Sequence, residues 1–110
     1  MSIQINASLP NPTPNTDKDD IFEFNTGTAS SITFSMAWTS GSWDAALVPM
    51  TAANTFSGGI QITAATSLSL GWIPDAPSVS RWIDVQDGVL SPNTYGKENI
   101  GSYTLVISAN

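Results

Sequence analysis

The strongest constraint on this chain is a run of strict alternation near its centre. Ile32, Phe34, Met36 and Trp38 are large and apolar, while Ser31, Thr33, Ser35, Ala37 and Thr39 between them are small or polar. Successive side chains of an extended strand point to opposite faces, so this period of two sorts every large group to one side. A helix would scatter the same residues around its axis. The segment therefore predicts a β-strand with one core face and one wet face.

The same period recurs along the chain. Ile3, Ile5, Ala7 and Leu9 alternate with Gln4, Asn6 and Ser8; Phe22 and Phe24 share one face of Ile21–Asn25. Further strands are expected over Trp43–Met50, Ile60–Ala64, Leu68–Trp72, Arg81–Gln86 and Tyr103–Ser108. Pro49 is read as the end of the Trp43 strand, with a helical turn at Thr51-Ala52-Ala53. Turn residues separate the strands at Thr26-Gly27, Gly58-Gly59, Pro74-Asp75-Ala76-Pro77 and Asp87-Gly88. Short strands at this spacing, without helical periodicity, predict an all-β fold. It is expected to be a small antiparallel β-sandwich or jelly roll of seven to nine strands. Ile32, Phe34, Met36, Trp38, Leu68, Leu70, Leu105 and Ile107 are its expected core.

The N-terminus invites a separate reading. Pro10, Pro12 and Pro14 cannot join a ladder, and they favour an extended, polyproline-like path. Residues 1–15 are expected to form an arm and spacer, and residues 16–110 the sandwich. Ile3, Ile5 and Leu9 would then bind a neighbouring subunit. The alternative is a first edge strand of the same sandwich.

Composition decides function mainly by exclusion. There are 110 residues, enough for one domain with one core. Lys18, Arg81 and Lys97 face nine acidic residues, for a net charge of −6. Neither nucleic acid nor an anionic membrane surface is an expected partner, because both recruit clustered cations. Cys and His are both absent, which removes Ser-His-Asp and Cys-His catalysis and the usual zinc and copper ligands. Asp44, Asp84 and Asp87 are the available carboxylates for glycoside hydrolysis, but a sandwich this small rarely builds the cleft. Asp17, Asp19 and Asp20, like Asp84 and Asp87, lack the spacing of a calcium loop. No enzyme and no cofactor are expected. Trp43, Trp72 and Trp82 are candidates for a protein interface or a sugar-stacking surface. Arg81 could stack on Trp82 or pair with Asp84.

Two stretches carry a family resemblance. Asp20–Phe24, Ser31–Trp38 and Trp43–Val48 form an acid-led strand, an alternating strand, a polar turn and a second acid-led strand. Ile100–Ser108 contains a closing Gly-x-Tyr-x-Leu strand. Together they resemble the pre-peptidase C-terminal type of β-sandwich domain, an accessory of secreted bacterial proteases and other exported proteins. The resemblance implies an accessory domain that binds protein matrix or polysaccharide outside the cell. Ala46 stands where that family commonly has an Asp, so its calcium and matrix-binding role does not carry over at that position.

The N-terminus has neither a basic region nor an apolar run, so no signal peptide is expected and the chain reads as an intact short product. With the arm, this favours a structural protein of a virus particle at the virion surface. It would decorate or cement a phage capsid or tail through contacts with the capsid or tail protein and with copies of itself. The accessory binding domain of an exported protein is the alternative, and a carbohydrate-binding module using the Trp residues is a third.

Overall fold

The computed structural model describes residues 2–9, 19–38, 43–52, 55–56, 61–87 and 101–110. Among these, nine strands form two antiparallel sheets packed as a sandwich: β1 (Ser2–Leu9), β2 (Asp19–Asn25), β3 (Ile32–Trp38), β4 (Trp43–Ala52), β5 (Thr55–Phe56), β6 (Gln61–Ala65), β7 (Ser67–Trp72), β8 (Ser80–Asp87) and β9 (Gly101–Ala109). The first sheet runs β1-β9-β3-β7; the second runs β2-β8-β4-β5, with β6 also paired to β4. The expected all-β sandwich is the fold observed.

Alternation sets the register. Phe34 lies opposite Ile107 on one neighbour and Leu70 on the other, and Met36 lies opposite Leu105 and Leu68. A slip of one residue would turn this whole set to solvent. Ile32, Phe34, Met36, Trp38, Leu68, Leu105 and Ile107 are all buried, and Leu70 packs against them partly covered. From the second sheet Phe24, Leu47, Ile83 and Val85 complete the core. Phe24 meets Phe34 edge-on at 5.4 Å between ring centroids and Trp72 at 5.9 Å, joining the sheets through aromatic contacts.

Two polar contacts fix the ends, the first of them across the sheets. Tyr103 Oη, from β9, donates to Asp20 Oδ2 on β2 at 2.5 Å. At the other end, buried Thr26 donates from Oγ1 to the Ala76 carbonyl at 2.9 Å and accepts from Val79 N–H at 3.0 Å. That clamps the β7–β8 connection onto the β2 turn. Gly27 takes φ +54° there, and its N–H is capped by Asn25 Oδ1 at 2.8 Å.

Three expectations are corrected. Residues 2–9 are no separate arm: β1 pairs along its whole length with β9 of its own chain, Ser2 opposite Ser108 through Leu9 opposite Gly101. Its alternating apolar residues extend the core face of that sheet, and Ile5 and Ala7 pack against the core. The proline spacer itself lies outside the described residues, as do Asp17, Ile60 and the polar stretch 91–100. Pro49 does not end β4, which runs on to Ala52 in place of the expected helical turn. Partner β6 ends at Leu47 and β5 begins at Met50, so Pro49 sits in the gap between them, where no ladder bond is lost on that side.

β4 is also buried on both faces. Ala45 and Leu47 join the core, while Ala46, Val48 and Met50, turned the other way, are buried as well. The near-continuous apolar run Ala45–Met50 is the sequence mark of such a strand.

Phe34→Ala should lower unfolding free energy by about 3–5 kcal/mol, whereas Ser35→Ala should change it by under about 0.5 kcal/mol. Urea unfolding of the two variants measures the contrast, and equal effects would refute the register. Thr26→Val should cost about 1–3 kcal/mol, since it strands a buried N–H and C=O while keeping side-chain shape.

Candidate binding surface

The outward face of the first sheet follows directly from the pleat. If the large residues face inward, the small polar ones between them form one continuous surface. Its rows read across four strands: Ser2, Ser108, Thr33 and Gly71; then Gln4, Val106, Ser35 and Ser69; then Asn6, Thr104, Ala37 and Ser67. Ser8 and Ser102 extend it at one end. No position in this grid is charged or aromatic. Its polar groups are hydroxyls and amides, which both donate and accept hydrogen bonds.

The surface is not flat. Ser35, Ala37, Ser67, Ser69, Thr104 and Val106 line a groove of about 310 Å³, open because the side chains there are too short to fill it. A second hollow of about 560 Å³ adjoins it, sharing Ala37 and Thr104 and reaching Asn6, Ser8 and Ser102. Thr104 Oγ1 donates to Asn6 Oδ1 at 3.1 Å across β9 and β1, holding both side chains along the surface. Trp38 also borders this hollow; its indole Nε1 is buried and has no hydrogen-bond partner among the described residues.

The tryptophans expected at the surface do not converge. Trp72 is core, tilted against Phe34 at 6.2 Å. Its alternation with Leu68 and Leu70 was the signal that it faces inward. Trp82 is half-buried on the outward face of the second sheet, opposite Met50 and Glu23. Trp43 is the first residue of β4, opposite Ala65; its side chain lies outside the described residues. Along β4, Trp43 and the Trp82 partner Met50 are separated by roughly 23 Å of extended chain, so no shared platform forms. Of the other expected contact residues, Ile5 is partly buried, Ile3 is exposed, and the side chain of Leu9 lies outside the described residues.

The charged groups are used structurally. Arg81 pairs with neither Trp82 nor Asp84. It makes a two-pronged contact with Asp75, Nε to Oδ1 at 2.9 Å and Nη2 to Oδ2 at 3.0 Å. Asp75 lies in the loop just before β8, within reach of a side chain at its start. The guanidinium hydrogen bond holds the Asp75 carboxyl below its ordinary pKa and raises that of Arg81. Asp84 is buried and accepts from Gln86 Nε2 at 2.6 Å, so it is not presented to a cleft. Among the described residues no three His, Cys, Asp or Glu side chains come together as a metal site would require.

The fold is similar to the pre-peptidase C-terminal domain of collagenase from Bacillus anthracis. The TM-score is 0.66 at 16% identity, and the match covers 98% of this chain and 90% of that one. No family model matches the chain. No curated protein matches it. At that identity the likeness is one of fold: the chain shares the β-sandwich fold of that domain.

Arg81→Gln should let Asp75 titrate higher, toward an ordinary aspartate. The sign follows from the depressed native pKa: the contact's stabilisation is present above the unfolded value and lost as pH falls through the native one. NMR titration of the Asp75 carboxyl in both proteins tests this, and an unchanged midpoint would remove the pair as the cause.

Proposed function

We propose that this chain is a non-catalytic binding module whose working surface is the outward face of the first sheet. Its ligand would be an extended, uncharged polar polymer, either polysaccharide or protein matrix. The observation that carries this reading is the charge-free grid, mostly Ser, Thr, Asn and Gln with Val106, Ala37 and Gly71 among them, and its groove. Such a face offers many neutral donors and acceptors over a broad area and no charge to desolvate. The net charge of −6 disfavours polyanions, and the grid carries no carboxylate to hold a polycation, so a neutral chain fits this face best. The lack of His and Cys supports a non-enzymatic role, and the fold likeness supports the accessory class. An accessory module of this kind would act outside the cell.

Recognition by tryptophan stacking has less support, since Trp72 is internal and Trp82, on β8, lies opposite Met50, seven residues along β4 from Trp43. The second reading, a structural subunit of a phage capsid or tail at the virion surface, no longer has the arm as its argument. What favours it is the long uncharged edge of β1.

Co-sedimentation with insoluble neutral polysaccharide and with fibrous protein is the test. The chain should pellet with one of them. Ser35→Arg combined with Ser69→Arg, two cross-strand neighbours in the groove, should weaken binding about tenfold or more, equivalent to about 1.4 kcal/mol, with unchanged melting. A chain that pellets with neither, or a double variant that binds as well, would sink the reading.

A further inference from the structure

We propose that the outer edge of β1 is a self-association seam, at which two copies pair β1 against β1 antiparallel and join two four-stranded sheets into one of eight. A sheet edge presents unpaired N–H and C=O groups, and soluble domains block theirs with charge, proline, shortness or a cover. Three of the four edges can be compared; at the fourth, formed by β5 and β6, the side chains lie outside the described residues. β7 follows β6 after Thr66 alone and packs against β6 and β4, so the other sheet turns in beside it. β2 carries Asp19, Asp20 and Glu23, so two copies meeting there would set like charges opposite each other. Among the described residues β1 has none of these devices. It is eight residues long, with neither a charge nor a proline, and among the described residues no strand pairs with its outer side.

Geometry adds a second argument. The Tyr103–Asp20 contact sets β9 over β2, the last strand of the other sheet, so β1 overhangs. Ile3 shows the consequence: it points to the core side yet is 46% exposed. In a two-fold antiparallel pair, residues of like parity face each other and both copies keep the same side inward. Ile3, Ile5 and Ala7 of one copy would then lie beside those of the other, closing the apolar overhang. Gln4 and Asn6 would meet Gln4 and Asn6 of the partner on the outward side. No charge stands on the strand itself, in a chain otherwise at −6, so repulsion is least here. The occupant that this edge fits is a second copy of the chain.

This inference stands apart from the binding reading, because its readout is mass; Gln4 and Asn6 belong to the outward grid, so polymer binding is read on the Ser35 and Ser69 variant, which should keep the dimer mass. Light scattering of the whole chain should give twice the monomer mass. Gln4→Lys with Asn6→Lys should give a monomer with unchanged melting, since both positions are exposed and every even register brings lysines together across the seam. Mixing that variant with Gln4→Glu plus Asn6→Glu should restore a dimer containing one of each. A wild-type monomer at the highest concentration reached, a lysine variant that stays dimeric, or a mixture that stays monomeric would each overturn the proposal.

Discussion

The two sheets meet through a small aromatic cluster, and most of the architecture depends on it. From the second sheet Phe24 is wedged against Phe34 and Trp72 of the first. Edge-on contacts of this kind add roughly 0.5–1.5 kcal/mol beyond the area they bury. They also fix spacing, because rings of that size hold the sheets apart at a set distance. β2 must therefore present Phe24 at one height, and the Thr26 clamp directly after it secures that height against the β7–β8 connection. Tyr103 and Asp20 do the same at the opposite end. The rings and the Tyr103–Asp20 bond join the two sheets, and the Thr26 clamp fixes the end of β2 that carries Phe24.

The outer surfaces differ in kind. β3 alternates strictly and β9 nearly so, so the face they turn outward is small and mostly polar, with Ala37 and Val106 as its apolar positions. β4 does not alternate: Ala46, Val48 and Met50 are buried on the face away from the core, and half-buried Trp82 and buried Asp84 lie beside them on β8. One side of the molecule is thus open and rich in hydroxyls, and the centre of the other is covered. A surface meant for contact needs side chains that do not already serve packing, and the first sheet alone supplies such an area at its strand centres.

How much of this could be read from the residues varied with the kind of pattern. Period two located the strands and the inward set Ile32, Phe34, Met36 and Trp38, because solvent acts on each residue separately and leaves its mark at each position. The polar grid was present in the same lines as their complement. What failed was non-local. Nothing in Ile3–Leu9 states which strand it pairs with, and the prolines that follow suggested distance where the structure has adjacency. Pro49 looked like a stop because its partners β5 and β6, and the gap between them, are set by residues far along the chain. Trp72 was harder for a different reason: one large amphipathic ring suits a core and a surface equally, and its alternation with Leu68 and Leu70, matched by its place opposite Ile32, is what decides.

The free edge and the polar face are linked by one further step. Pairing through β1 about a two-fold axis keeps the outward faces of both sheets on the same side. The two grids would then lie side by side as one surface, with Gln4 and Asn6 at its midline. An extended polymer crossing that midline would meet both copies at once. Its second contact would be intramolecular and would gain from effective concentration without any new chemistry. Weak neutral hydrogen bonds, each worth about 0.5–1.5 kcal/mol net, make poor ligand sites when few. They become adequate when a doubled sheet repeats them along a chain. A charge-free face and an unguarded edge would each be a liability in an isolated domain, and on this arrangement each gives the other its use.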